Sequence, residues 1–313
     1  MSHEILTVVR PAAYRSRRKL DIVGPIAGYF RCFKCLSFNG KNDNRRNQPA
    51  DAPMIRIDCR GVATGDLANS AEIKAAHDCF VRHGYAILDH VVPEDRIQAL
   101  LAEFNGHYAQ YLRDQEASDS LEVGGRRFMF ALRFSGALGD PLVYANPFVV
   151  ALVRMVLDND AILEAFGAIT SLSGAEAQHI HRDGPHLFSS EISTLLPAHA
   201  LTFALPLVEM NDLHGTTAIW PGSHRWKSMN NEITPEIPTI QPGSCVLWDF
   251  RLYHRGTENR SEHPRPMVYA TYARRWYQDP VNFMKEKMQR LIFDPGFVHG
   301  VPEDVRPLFS HVR

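Results

Sequence analysis

Four side chains in this 313-residue sequence could do chemistry together: His181 and Asp183 in Gln178-His179-Ile180-His181-Arg182-Asp183, His254 in His254-Arg255-Gly256, and Arg265. Two imidazoles and one carboxylate are the donor set of a two-histidine, one-carboxylate Fe(II) site, which leaves coordination positions open for a co-substrate and dioxygen. An arginine keeps its charge at any working pH and grips a carboxylate as a planar fork, so Arg265 suits a dicarboxylic acid. Together they point to oxidation at a bound metal.

The elements that carry these residues must bring them together. On a β-strand alternate side chains share a face, so His181 and Asp183 can present both donors to one side of a sheet. Ser244 to Tyr253 is rich in Val, Leu, Trp, Phe and Tyr and is bounded by Pro242-Gly243 and Gly256, which predicts a strand with His254 at its end. A second such run, Arg265 to Tyr277, follows a polar turn. The interval from His254 to Arg265 then crosses one hairpin, and Arg265 is expected near the metal on the neighbouring strand. Alone, each piece is weak: in a chain with 15 histidines, on the order of one His-x-Asp triplet arises by chance. Their joint occurrence in order is the signal. His179 shares strand parity with His181, but no glutamate follows at the spacing of a His-x-His cupin site, so it reads as a neighbour of the ligands.

Around these residues the sequence also resembles the phytanoyl-CoA dioxygenase family of Fe(II)/2-oxoglutarate-dependent oxygenases, from about Met54 to Asn282. The resemblance rests on Gln178-x-x-His181-x-Asp183, on His254 with Arg265, on Gly215-Thr216-Thr217-Ala218-Ile219-Trp220-Pro221-Gly222-Ser223-His224, and on Phe80-Val81-Arg82-His83-Gly84-Tyr85-Ala86-Ile87-Leu88. It implies a mainly β fold with flanking helices, a double-stranded β-helix or cupin-like jelly roll. It implies that His181, Asp183 and His254 hold Fe(II), that Arg265 pairs with the distal carboxylate of 2-oxoglutarate, and that Gln178 and Thr217 contact that co-substrate. The implied reaction consumes O2 and 2-oxoglutarate, forms succinate and carbon dioxide, and oxidises an unactivated C–H bond of a small, largely apolar molecule. A carboxylate at 183, where halogenase relatives have a small residue, implies oxidation without halogenation. Two positions depart from the family pattern: His214 stands where an Asn is frequent, and Gly256 where some members have Ser. The rival readings are a cupin-like metal-dependent isomerase, which needs neither Arg265 nor 2-oxoglutarate, and a non-catalytic binding protein on the same fold.

Composition is compatible with one large β-containing domain: 45% hydrophobic and 22% charged residues, with a formal net charge of −1 that gives no reason to expect nucleic acid. The five cysteines are odd in number and irregularly spaced, which argues for a reducing, cytoplasmic setting, and Cys32-x-x-Cys35 has no second pair to complete a zinc site. Residues 1–53 hold ten Lys and Arg against four Asp and Glu. They read as a basic, flexible N-terminal arm, with organelle targeting as its alternative role, ahead of an enzyme domain over 54–313. The short apolar run from Ile22 to Phe30 cannot span a membrane.

Helices are expected after a Ser70 cap up to Gly84, from Pro93 through Phe104, and from Pro147 to Leu157. Short strands should dominate from Ile169 onward. Phe128, Phe130, Leu132 and Phe134 alternate on a core face, and Arg127 and Arg133 are expected on a solvated one, from which either could meet a substrate acid. His186-Leu187-Phe188 and Leu195-Leu196-Pro197 are expected as a lid or pocket wall.

Overall fold

The computed structural model describes residues 54, 56–112, 120–282 and 289–312. The expectations for the N-terminal arm and for Cys32 and Cys35 lie outside the described residues.

Among the described residues ten strands form two sheets. The large sheet contains β1 (Arg56–Asp58), β2 (Tyr85–Asp89), β3 (Leu121–Glu122), β4 (Arg127–Ala131), β5 (Ile162–Ser171), β6 (Ala200–Pro206), β8 (Cys245–Asp249) and β10 (Arg265–Ala273), in the order β1-β2-β8-β6-β10-β5-β4-β3. All its pairings are antiparallel except β1 with β2. The small sheet pairs β7 (Thr217–Ile219) with β9 (His254–Gly256). It is widened by single bridges, His181 with His254 on one side and Ile219 with Glu236 on the other. The two sheets face each other across a cavity, which is the double-stranded β-helix, or jelly roll, expected from the sequence.

Alternation explains why the large sheet is apolar on both faces. Along β10, Val268, Ala270 and Tyr272 enter the main core under the helices, while Arg265, Met267, Tyr269 and Thr271 line the cavity. Two long helices and one of intermediate length buttress the outer face. In α1 (Ala71–His83), Ser70 Oγ accepts from Ile73 N at 3.1 Å, capping the first turn, and Gly84 ends it at φ 82°. A side chain at Gly84 would also put its Cβ 2.4 Å from His224 Nδ1, so this glycine is required twice over. In α2 (Glu94–His107), Ile97, Leu100 and Phe104 are buried at helical spacing; each contributes about 1.5–3 kcal/mol of burial. After the short α3 (Pro141–Tyr144), α4 (Pro147–Leu157) starts from an Asn146 cap and buries seven side chains, as its almost wholly apolar sequence demands.

Four sequence expectations need correction. His181 sits in an isolated bridge rather than a regular strand, and Asp183 follows in a bend. The run from Ser244 to Tyr253 is not one strand: β8 ends at Asp249, and His254 opens β9 in the other sheet. The corner between them is made by the Asp249 carboxylate, which accepts from Arg251 N and Nε at 2.9 Å each and from Nη2 at 2.7 Å, both side chains being buried. Consequently His254 and Arg265 are not neighbours on a hairpin; β10 pairs with β5 and β6, and Arg265 faces the metal-ligand residues from the opposite sheet. The strand that begins at Arg265 also stops at Ala273, short of Tyr277.

Candidate metal and anion site

A cavity of about 440 Å3 lies between the sheets, and the six residues expected to hold metal or co-substrate all line it: Gln178, His181, Asp183, Thr217, His254 and Arg265. At one wall, donor atoms of His181, Asp183 and His254 lie within 4.8 Å of one another, and among the described residues no other His, Cys, Asp or Glu cluster does so.

Local backbone geometry aims these donors. His181 and His254 exchange both main-chain hydrogen bonds, each 3.0 Å, which sets their rings side by side with centroids 4.5 Å apart. Each Nδ1 faces a carbonyl two residues back, His179 O at 2.9 Å and Leu252 O at 3.0 Å. A carbonyl only accepts, so each Nδ1 carries the proton and each Nε2 keeps its lone pair for a metal. Burial, with the adjacent His254, lowers the His181 pKa and favours the neutral, ligating form. Asp183 Oδ2 accepts from Thr202 Oγ1 at 2.6 Å and Trp248 Nε1 at 2.8 Å, while Oδ1 lies 3.5 Å from His254 Nε2. Asn282 Nδ2 donates to the Asp183 carbonyl at 2.9 Å and to the Asp279 carboxylate at 2.7 Å, fixing the loop behind the ligand. This arrangement suits a divalent cation: two imidazole nitrogens and one carboxylate, converging and otherwise satisfied.

The other part of the cavity is cationic. Arg265 is 2% exposed and touches Ser171 Oγ at 2.9 Å and two thioether sulfurs, Met210 and Met267, at 3.9 Å; its Nε has no hydrogen-bond partner among the described residues. Burial, reinforced by Arg127, pushes its pKa down to about 9, which still leaves it charged at neutral pH. Among the described residues no carboxylate offsets it in an ion pair. A buried guanidinium with idle donors calls for an anion.

Arg127 is the residue that sequence reasoning placed wrongly. It is 1% exposed rather than solvated, and it donates to Ser171 Oγ at 2.7 Å and to the Thr257 carbonyl at 2.7 Å. Burial pushes its pKa down to about 10. Its guanidinium crowds Gly256: a Cβ there would lie 2.5 Å from Arg127 Nη1 and 2.8 Å from Gln178 Oε1, so a serine would require both side chains to shift. Arg133, in contrast, is half exposed and paired with Asp294. Gln178 spends its amide on the backbone, accepting from Gly256 N at 2.9 Å and donating to the Val123 carbonyl, while Thr217 lines the cavity from β7. The segments at 186–188 and 195–197 do not line the cavity; Leu187 packs on the Phe250 cluster, and Phe188 and Leu195 are exposed. The wall opposite that expectation is formed by Asp279, Val281 and Asn282, for which the sequence offered no periodic signal.

Comparison with known proteins agrees with this geometry. Residues 80–267 match the family described as phytanoyl-CoA dioxygenase. Over 110 residues the chain is 36% identical to the dioxygenase trt7 of Aspergillus terreus, covering 34% of this chain and 38% of that protein. Over 109 residues it is 30% identical to the dioxygenase cdmD of Talaromyces verruculosus, covering 32% of this chain and 35% of that protein. The chain thus matches little more than a third of the length of these curated relatives. Two Streptomyces structures share the fold: AviO1 of Streptomyces viridochromogenes, with TM-score 0.52 and 17% identity over 67% of this chain and 99% of that one, and HygX of Streptomyces hygroscopicus, solved with nickel and 2-oxoglutarate bound, with TM-score 0.51 and 13% identity over 66% and 89%. Among the described residues no helix is long and apolar enough to cross a membrane.

Proposed function

Since this chain belongs to the phytanoyl-CoA dioxygenase family, we propose that it is an Fe(II)- and 2-oxoglutarate-dependent dioxygenase that oxidises a C–H bond of a small, largely apolar molecule. The observation that carries the reading is the pairing of opposites in one cavity: three converging metal donors at one wall and a buried guanidinium with idle donors elsewhere in the same space. His181 Nε2, Asp183 Oδ1 and His254 Nε2 would hold Fe(II), and Arg265 would hold the distal carboxylate of 2-oxoglutarate. Held there, the iron would let dioxygen serve as the oxidant, one oxygen atom oxidising 2-oxoglutarate to succinate and carbon dioxide and the other being left for the substrate C–H bond.

The chain's own contribution is binding, orientation and exclusion of water. Ser171 steers both guanidiniums by accepting from Arg127 Nε and Arg265 Nη2. Met129, Ile169, Phe250, Tyr269 and Val281 supply apolar wall for a substrate. Asp279, on the same wall, is spent on Val281 N, Asn282 N and Asn282 Nδ2. As a metal ligand, Asp183 would occupy the place where an anion could otherwise join the metal and would repel one electrostatically, which would favour an oxidised, unhalogenated product.

The test is to load anaerobically purified protein with Fe(II) and 2-oxoglutarate, admit oxygen and quantify succinate. Succinate that disappears in Asp183→Ala is expected. Protein that binds both and forms none would favour a non-catalytic binding protein.

A further inference from the structure

The two donors on Asp183 form a designed-looking unit. Thr202 on β6 and Trp248 on β8 are directly paired across adjacent strands. Both point into the cavity, and both donate to the same oxygen, Oδ2, at 2.6 and 2.8 Å. Two donors in fixed positions saturate that oxygen's in-plane lone pairs. Among the described residues Oδ1 accepts no hydrogen bond like those at Oδ2; it is the oxygen on the His254 side, 3.5 Å from Nε2. Trp248 also lies against His254 itself, ring centroids 5.0 Å apart, so one indole contacts two of the three donor residues. Thr202 is 7% exposed and Trp248 4%, which shields both hydrogen bonds from competing water.

We infer that Thr202 and Trp248 are positioning residues that confine Asp183 to a single metal-facing oxygen, Oδ1. The inference rests on the metal reading of the site. A carboxylate free to rotate could offer both oxygens and take up a position that must stay open for co-substrate or oxygen. Pinning Oδ2 to the strands keeps the donor count at three. Because the clamp comes from a cross-strand pair in the large sheet, it places the ligand of an irregular bend with the precision of a regular ladder.

Titration with Co(II), a metal whose visible bands report coordination number and geometry, tests this with no turnover required. The parent chain should bind Co(II). Thr202→Val, which keeps shape and loses the donor, and Trp248→Phe should each bind about tenfold more weakly and show altered visible bands, whereas Thr202→Ser should restore both affinity and spectrum. Metal-free melting of each variant checks the fold, and the Val and Ser pair at 202 suffices if Trp248→Phe does not fold. Parental affinity and parental bands in Thr202→Val would overturn the inference. A parent chain that does not bind Co(II) would instead overturn the metal reading, and the clamp with it.

Discussion

The metal-ligand wall and the arginine region both line one cavity and both are polar, yet they are finished to different degrees. At the first, the chain satisfies everything except the donor atoms that face inward: both Nδ1 groups, Oδ2 and even the Asp183 carbonyl have partners. At the second, Arg265 has one hydroxyl, two sulfurs and an idle Nε. Elsewhere the same protein shows that it can neutralise a buried guanidinium, since Arg251 is forked onto Asp249. A folded chain that leaves one arginine uncompensated spends stability on a charge it could have paired. One wall is therefore preorganised for a cation, and the other region holds binding energy in reserve for an anion.

The largest effects should come from removing the inward donors. His181→Ala, Asp183→Ala and His254→Ala should each abolish turnover and nearly all Fe(II) binding, because a three-donor site has no redundancy. His179→Ala, at an exposed neighbour, should retain metal affinity. Metal titration decides it, and loss in His179→Ala with retention in Asp183→Ala would assign the site to a pair of histidines instead.

At the other end the signs should diverge. Arg265→Lys keeps a charge but loses the fork, and should raise the Michaelis constant for 2-oxoglutarate by about 10- to 100-fold, the equivalent of roughly 1.4–2.8 kcal/mol. Arg265→Met should eliminate 2-oxoglutarate binding and yet raise the stability of the metal-free protein by about 1 kcal/mol or more, because a buried unpaired charge is gone. A destabilised Arg265→Met would mean that the arginine is structural.

Stability should also fall on acidification, through histidines outside the site. His199 and His224 are buried, and burial pushes the pKa of each down to about 4. The unfolded chain takes up these protons at about pH 6.5 and the folded chain only at about 4, so stability is lost as pH falls between those values, by up to about 3 kcal/mol for each. Chemical denaturation at pH 7 and pH 5 measures the slope, which His199→Gln should flatten. The smallest effect concerns residues 1–53: a chain beginning at Met54 should fold and turn over like the full one, and insoluble or inactive protein would show that the basic arm is needed.

Local chemistry was legible in the sequence where it depended on short spacing. The His-x-Asp pair, the Ser70 cap, the Gly84 stop and the apolar α4 all reappear in the structure because each is set by a few adjacent residues. Strand pairing was not legible around His254, because the corner that moves the chain between sheets is a tertiary contact of the Asp249–Arg251 pair, and alternation runs straight through it. Arg127 was misplaced for a related reason. A strand facing a helical core on one side and a cavity on the other has no solvated face, so its polar residues mark the cavity. The strict alternation of Phe128 and Phe130 with Arg127 and Met129 was the available signal. Nothing periodic marked Asp279 and Asn282, which act from a loop.

Calorimetric titration of 2-oxoglutarate into protein with and without Co(II) addresses both regions at once. The expected result is binding that requires the metal, is lost in Asp183→Ala together with the metal, and is lost in Arg265→Met although the metal stays bound. Equally tight binding of 2-oxoglutarate to metal-free protein and to Arg265→Met would contradict it.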